Sequence, residues 1–208
     1  MVERLHGMQK VSGSTPLIST LELWNPLFAR FNKKCPRIDN KIKVVFIENY
    51  DVSKAELIIP AADVSEQIST TTKEASGTGN MKLMMNGAIT LATLDGANIE
   101  IFDQVGEDNI VIFGLSANEV LNYNKFGGYS ALDLYNSNRV IKRVVDDLVN
   151  GFIPNMEKEG RQIYDSLITY NDEYFVLRDM ENYIEAQEKI DRLYKNKEKL
   201  QKIKSLKN

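Results

Sequence analysis

Short apolar runs alternate with segments of helical periodicity over the first two thirds of the chain. The runs are rich in β-branched residues, as are strands buried on both faces of a parallel sheet, and they occupy residues 42–47, 90–94 and 109–114. Helical patterns lie between and after them, at residues 52–62, 80–87 and 116–123. Strands and helices in alternation predict an α/β fold that is built on a parallel sheet.

Beyond residue 131 the strand signal fades, and apolar residues recur at helical spacing. They are Val140, Val144, Val145, Leu148, Val149, Ile184, Ile190, Leu193, Leu200 and Ile203. Lysines alternate with the last of them from Lys189 to Lys207, which is typical of a solvated helix face. The pattern predicts a helical tail at residues 131–208, after an α/β part at residues 41–130.

The first 40 residues carry a pattern of their own. Ser19 and Glu22 fit a capping box, which predicts a short helix that Pro26 limits or kinks. Its apolar positions are Leu21, Leu23, Trp24, Leu27 and Phe28. Two interpretations stay open: residues 1–40 are foreign to the fold and pack weakly on it, or this apolar face covers the sheet.

Composition and charge indicate which classes of partner this chain is not expected to bind. A chain of 208 residues suffices for one domain, and a net charge of −3 with a pI near 5.4 gives no indication of nucleic-acid binding. The lone Cys35 supports no internal disulfide, which agrees with a reducing compartment such as the cytoplasm. The sequence shows no secretory signal and no stretch as long as a membrane span, and we assign no residues to a metal.

A run of small residues, Glu74-Ala-Ser-Gly-Thr-Gly-Asn-Met-Lys82, leads into the helix predicted at residues 80–87. Backbone N–H groups at the start of a helix are unpaired and suit a phosphate, and Lys82 is expected in the first turn beside it. The run therefore suits a phosphorylated cofactor bonded to an amine, as in a pyridoxal phosphate Schiff base.

Three other interpretations of this run can be compared with its sequence. The dinucleotide-binding fingerprint requires a third glycine where Lys82 stands, and the P-loop requires a Gly-Lys-Ser/Thr sequence, so neither matches. An ordinary glycine-rich turn followed by a surface lysine stays open.

A longer stretch of the chain carries a resemblance to a known family. The run continues as Leu83-Met-Met-Asn-Gly-Ala-Ile-Thr-Leu-Ala-Thr-Leu-Asp-Gly-Ala-Asn-Ile-Glu-Ile101. Residues 74–101 closely resemble the pyridoxal-phosphate segment of the α-glucan phosphorylases, which act on glycogen, starch or maltodextrin. The resemblance also covers residues 44–53, 58–69, 109–114 and 170–175, and about residues 42–205 in all.

The resemblance implies a fold, an activity and partners. The fold is part of the C-terminal Rossmann-like lobe of a GT-B-type glycosyltransferase, and because family members are several times longer, the chain is interpreted as a fragment. The implied reaction transfers a glucosyl unit from an α-1,4-glucan to orthophosphate and gives glucose 1-phosphate with retention. No nucleic acid or membrane is implied, and the fragment does not itself support the homodimer that the family allows.

The resemblance also implies which residues hold the cofactor. Lys82 is the lysine that bonds pyridoxal phosphate, whose 5′-phosphate donates and accepts a proton beside the substrate phosphate. Thr78 and Gly79 match residues that hold this phosphate, and Tyr50 matches a tyrosine near the cofactor. Without the resemblance, Thr78 suits a helix N-cap and Tyr50 suits a core position at the end of a strand.

Three further residues, Glu74, Ser76 and Gly77, match positions that bind hydroxyls of the glucosyl unit. A carboxylate that accepts hydrogen bonds from sugar hydroxyls, with backbone N–H groups beside it, orients a pyranose ring. The residues just before them, Thr71-Thr-Lys73, depart from the family, which has small residues including a glycine at that place.

Part of the family's active site has no counterpart in this sequence. Residues 1–40 contain no match for the basic residues that hold substrate phosphate, and His6 does not correspond to the family's active-site histidine. Two hypotheses follow. The chain is the cofactor-bearing part of a phosphorylase and is inactive in isolation, or it is a non-catalytic remnant that at most binds pyridoxal phosphate or a partner chain.

Overall fold

A computed structural model describes residues 47–196, 198 and 201 of the chain. The elements of this part, in chain order, are α1 (Val52–Ala61), β1 (Val64–Gln67), α2 (Gly79–Met85), β2 (Ile89–Ala92), α3 (Asn98–Val105), β3 (Ile110–Ile112), α4 (Ala117–Phe126), α5 (Ala131–Ser137), α6 (Arg139–Asp146), α7 (Glu157–Tyr164), a π-helical turn (Asp165–Thr169) and α8 (Val176–Lys195). The strands are parallel in the order β1-β2-β3, with Val64 beside Ile89 and Thr90 beside Ile110. The predicted α/β fold with a parallel sheet is confirmed.

The described part divides into two compact units. Of the described residues, the first unit contains 51–129, 174–196, 198 and 201, and it includes the sheet and α8. The second unit contains residues 47–50 and 130–173. The division into segments at residues 40 and 130 stays a prediction.

The core of the first unit lies on both faces of β2, whose residues are all buried. One face packs against α8 in a cluster of Ile68, Ile89, Leu91, Val111, Phe113, Ala186, Ile190 and Leu193. The other face packs against α2 and α3 in a cluster of Met84, Ala92, Ile101, Phe102, Val105, Ile110 and Ile112. Burial on both faces is what an apolar run without alternation predicts.

The predicted strands at residues 90–94 and 109–114 correspond to β2 and β3, and the three predicted helices correspond to α1, α2 and α4. The predicted cap of α4 is also present, because the Ser116 hydroxyl accepts a hydrogen bond from the Glu119 N–H at 3.3 Å. The Glu119 carboxylate accepts in turn from the Ser116 N–H at 2.9 Å. Hydrogen bonds from Ser116 lower the pKa of Glu119.

The sequence did not predict two elements of the first unit, β1 and α3. The sequence of β1, Val-Ser-Glu-Gln, contains a single apolar residue and gives no strand signal. Its half-buried Glu66 carboxylate accepts hydrogen bonds from Tyr183 at 2.8 Å and from Gln187 at 2.6 Å, so α8 holds this strand through polar contacts. The other element, α3, has Ala97 at its N-cap, where no side chain accepts a hydrogen bond.

The second unit is helical in the residues described, and its buried side chains include Ala131, Ile141, Val145 and Leu167. Val140 lies in α6 as its helical spacing predicts, but its side chain is 55% exposed. Counting one helical turn back from Val145 leads to Ile141, and that side chain is buried instead.

Several predictions fall on other parts of the chain. The helix predicted near Trp24 lies outside the described residues, and so does the strand at residues 42–47 except for Ile47. The tail positions Leu200 and Ile203 lie outside them as well. Of the helices in the described part, none combines the length and the apolar character that a membrane span requires.

Candidate functional site

The carboxyl ends of the parallel strands lie at one edge of the sheet. Residues 70–78, which we call the edge loop, come after β1 and lead into α2. Residues 93–97 follow β2, and residues 113–116 follow β3. Open α/β sheets bind their ligands at this edge, so these three connections form the candidate site.

Two buried threonines fix the start of the edge loop. The Thr70 hydroxyl donates a hydrogen bond to the Tyr174 carbonyl at 2.9 Å. The Thr71 hydroxyl donates to the Leu115 carbonyl, just beyond β3, at 2.8 Å. Both partners are distant in sequence, so these bonds hold the loop to the rest of the first unit.

The Asp95 carboxylate, which follows β2, binds the next three residues of the loop. It is buried, with 5% of the residue exposed. One oxygen accepts from the Thr72 N–H at 2.8 Å, and the other accepts from Lys73 at 3.1 Å and Glu74 at 2.7 Å. The Lys73 N–H is shared with the Thr70 carbonyl at 3.0 Å. Hydrogen bonds to an ionised acceptor are stronger than neutral ones, and this set fixes the bend before Glu74.

The turn after Asp95 contacts the far side of the edge loop. The Ala97 N–H donates to the Ser76 carbonyl at 2.8 Å. Gly96 has φ +52°, and a Cβ there would come within 2.5 Å of the same oxygen. A glycine is required at this position because the two backbones approach each other closely.

A pair of buried amides fixes the start of α2. The Asn80 amide donates to the Asn98 side-chain oxygen at 2.8 Å, and the Asn98 amide donates to the Thr93 carbonyl at 3.2 Å. The Asn80 side-chain oxygen accepts from the Met81 N–H at 2.8 Å. The helix that carries Lys82 is therefore attached to the end of β2.

Six of the predicted site residues lie on the edge loop or on α2. Gly77 is half-buried, and the exposed ones are Glu74, Ser76, Thr78, Gly79 and Lys82. Within the described part of the chain, the Lys82 ammonium has no hydrogen bond or ion pair. The same holds for the backbone N–H groups of Gly77, Thr78 and Gly79. Thr78 stands at the N-cap of α2, but its side chain makes no capping hydrogen bond.

The seventh predicted residue, Tyr50, is placed differently. It is 61% exposed and belongs to the second unit, so the core position that the sequence left open is wrong. It precedes Asp51, whose carboxylate caps α1 by accepting from the Lys54 N–H at 2.9 Å. Over residues 47–196, no group of three or more His, Cys, Asp or Glu side chains is placed to hold a metal ion.

The bend at residues 71–73 contains an unusual backbone conformation. Thr72 has φ +77°, in the left-handed region that favours glycine. A β-branched residue is strained there, and the hydrogen bonds that Asp95 accepts hold the bend in place. This is the turn at which the sequence departs from the phosphorylase pattern.

A family model described as carbohydrate phosphorylase matches residues 20–208. The chain belongs to the carbohydrate phosphorylase family. The match includes residues 20–40, where the sequence by itself gave no clear resemblance, so the phosphorylase region of this chain extends further towards the N-terminus than we expected.

Curated relatives agree with this assignment. The chain is similar to a glycogen phosphorylase of Bacillus subtilis, with 56% identity over 164 residues, which are 79% of this chain and 21% of the relative. It is also similar to the liver form of human glycogen phosphorylase, with 44% identity over 161 residues, 77% of this chain and 19% of the relative. The chain thus spans about a fifth of the length of these phosphorylases.

Sequence reasoning gave no role to Asp95, Asn80 or Asn98 of this phosphorylase chain. All three are buried, and their hydrogen bonds hold the segment that contains the predicted site residues. A signal was present for Asp95, because it comes shortly after an apolar strand, where parallel sheets place residues of binding sites.

Proposed function

We propose that this chain is the cofactor-bearing part of a cytoplasmic α-1,4-glucan phosphorylase. In the complete enzyme, a glucosyl unit passes from a glucan such as glycogen or maltodextrin to orthophosphate and gives glucose 1-phosphate. Family membership and the name glycogen phosphorylase that the relatives carry support this proposal. The order of the site residues along the edge loop supports it in detail.

Lys82 holds pyridoxal phosphate in this proposal. Its side-chain nitrogen is exposed and unpaired among the described residues, so no partner has to be displaced before it gives up a proton and the free amine can react with an aldehyde. The unpaired N–H groups of Gly77, Thr78 and Gly79 are donors for a phosphate, and a Cβ at Gly79 would meet no atom within 4 Å. When bound, the cofactor supplies a phosphate whose second pKa is about 6, and such a group can transfer protons around neutral pH.

Glu74, Ser76 and Gly77 bind the glucosyl unit. The Glu74 backbone is held by Asp95, while its carboxylate is exposed and has no partner among the described residues. An ionised carboxylate only accepts hydrogen bonds, so it suits the hydroxyls of a sugar. Gly77 has φ +84°, which turns the chain between the sugar-binding residues and the start of α2.

One observation carries the proposal. The segment with the predicted sugar and cofactor residues lies at the carboxyl edge of the sheet and is fixed by a buried carboxylate that follows the central strand. An ordinary surface turn has no need of such a fixed backbone.

Chemical labelling tests the role of Lys82. The chain is incubated with pyridoxal phosphate, reduced with borohydride and mapped by peptide mass spectrometry. We expect the pyridoxyl group on Lys82, and Lys82→Arg as the control should remove it. Labelling spread evenly over exposed lysines such as Lys125 would contradict the proposal.

A phosphorolysis assay tests the proposed division of labour. We expect this chain alone to release no measurable glucose 1-phosphate from maltodextrin, because positioning and electrostatic stabilisation by groups outside a fifth of the enzyme account for many orders of magnitude in rate. Release above that of Lys82→Ala would contradict it. Whether the neighbouring coding sequence encodes the rest of a phosphorylase separates this proposal from a non-catalytic remnant.

A further inference from the structure

Asp95 contacts the edge loop at three successive backbone positions, although the resemblance implies no role for it. Its bonds to Thr72, Lys73 and Glu74 are 2.7–3.1 Å long, and Asp95 itself is buried. They end at Glu74, the first of the residues that bind ligand in the proposed function.

We propose that Asp95 is a positioning residue, which holds the bend at residues 72–74 so that Glu74 and the segment up to Lys82 take the ligand-binding conformation. The inference rests on the proposed function, because it concerns the same site. It goes beyond that function by naming the side chain that sets the shape of the site before any ligand arrives.

The chemistry of the acceptor explains why a carboxylate stands here. An ionised aspartate offers two oxygens and donates nothing, so it accepts all three N–H groups at once. An asparagine has one oxygen, and its NH₂ group would face a backbone donor. The bend also holds Thr72 at φ +77°, and a strained residue keeps such a conformation only where its surroundings enforce it.

The residues after Asp95 extend its effect along the loop. Ala97 holds the Ser76 carbonyl at 2.8 Å, and Asn98 holds Asn80 at 2.8 Å. The turn at residues 95–98 therefore binds the chain just before the segment from Glu74 to Lys82 and at several points within it. Asp95 is the charged residue of this turn.

The test measures loop order and cofactor affinity separately, in the full chain. Amide hydrogen exchange of Thr72 and Glu74 without cofactor reports whether the bend is held, and an absorbance titration with pyridoxal phosphate reports affinity. The test variant is Asp95→Asn. The matched control is Leu193→Ala, which leaves a cavity in the core. Its neighbour Tyr194 donates a hydrogen bond to Asp63 just before β1, so this end of α8 lies at the opposite edge of the sheet.

We expect Asp95→Asn to speed exchange at these amides and to weaken pyridoxal phosphate binding about tenfold, which corresponds to about 1.4 kcal/mol. The control should lower stability and change neither loop exchange nor affinity, since a merely structural role acts through stability. If Asp95→Asn fails to fold, Asp95→Glu keeps the charge, displaces the carboxylate and should show the same two effects.

The contrary outcomes are distinct. Unchanged affinity in Asp95→Asn, with the wild-type chain labelled at Lys82, would overturn the positioning role and leave the proposed function standing. Unchanged exchange would show that Asp95 does not hold the bend. A wild-type chain that takes up no pyridoxyl group at Lys82 would overturn the proposed function and the ligand-related role of Asp95 together, while the exchange data would still decide whether the bend depends on it.

Discussion

The edge loop of the first unit and the ion pairs on the helices of the second unit show different kinds of polar contact. In the edge loop, the carboxylate of Asp95 is buried, and its donors such as Glu74 are more than 20 residues away in sequence. In the second unit, Arg161 pairs with Asp165 one helical turn away, and the arginine side chain is 63% exposed. The shape of the edge loop therefore depends on residues distant in sequence, whereas this ion pair joins neighbours on one helical stretch.

The physical reason lies in the surroundings of each contact. A hydrogen bond shielded from water is stronger, and an unpaired buried partner is costly, so the buried contacts of the edge loop permit one arrangement. An exposed ion pair is screened and replaceable by water, so it adds little to stability or uniqueness. The proposed site, which would present Glu74 and Lys82 in fixed positions, needs the first kind.

The largest expected effect comes from the core beneath the edge loop. Leu91 is fully buried at the centre of β2. Leu91→Ala should lower the free energy of unfolding by about 3 kcal/mol, because it leaves a cavity. It should also speed amide exchange in the edge loop, which depends on the end of this strand. Denaturant unfolding and hydrogen exchange measure the two effects.

The matched control is Leu121→Ala in α4, where the leucine is 56% exposed and the cost should stay within about 0.5 kcal/mol. If Leu91→Ala left the edge loop as protected as in the wild type, the loop would not depend on the sheet, and the contrast between the units would be weaker.

A second substitution tests a close backbone approach in the second unit. A Cβ on Gly160, within α7, would overlap the carbonyl oxygen of Leu148. Gly160→Ala should therefore cost about 2 kcal/mol through overpacking, although the same change in a free helix is stabilising. Gly79→Ala in α2 is the control, since its Cβ meets nothing within 4 Å and should not destabilise. A stabilising Gly160→Ala would mean that only local contacts matter in the second unit.

The sequence predicted those parts of the fold that depend on neighbouring residues. The apolar runs led to β2 and β3, and Ser116 marked the start of α4 because a cap acts within one turn. The polar strand β1 was missed, since its Glu66 is held by hydrogen bonds from Tyr183 and Gln187, more than 100 residues later. No local pattern contains that information.

The same division applies to the candidate site. The segment from Glu74 to Lys82 was found from its residue types and its family resemblance. The residue that fixes this segment, Asp95, was not found, because its role arises from hydrogen bonds across 21 to 23 residues of sequence. The departure at Thr72 was noticed, but only the structure reveals that its φ is positive.

A third prediction removes the strain at the bend. Thr72→Gly should raise the free energy of unfolding by about 1 kcal/mol, because glycine adopts φ +77° without a Cβ penalty. Thr78→Gly is the control: Thr78 has φ −123° and no capping bond, so that change should cost only a few tenths of a kcal/mol. Equal losses in both variants, measured by urea unfolding, would show that Thr72 is not strained.

The smallest expected effect lies in the ion pairs of the second unit. Arg161 approaches Asp165 at 3.1 Å and also lies over the Tyr164 ring, while Arg143 is 4.0 Å from Asp147. Arg161→Gln should lower the free energy of unfolding by about 0.5 kcal/mol at most, and less in high salt, because both charges reach solvent. Arg143→Gln, the control, should have no measurable effect. If Arg161→Gln lowered the free energy of unfolding by more than about 1 kcal/mol, in high salt as well, this exposed ion pair would matter as much as a buried contact. The contrast between the two units would then fail.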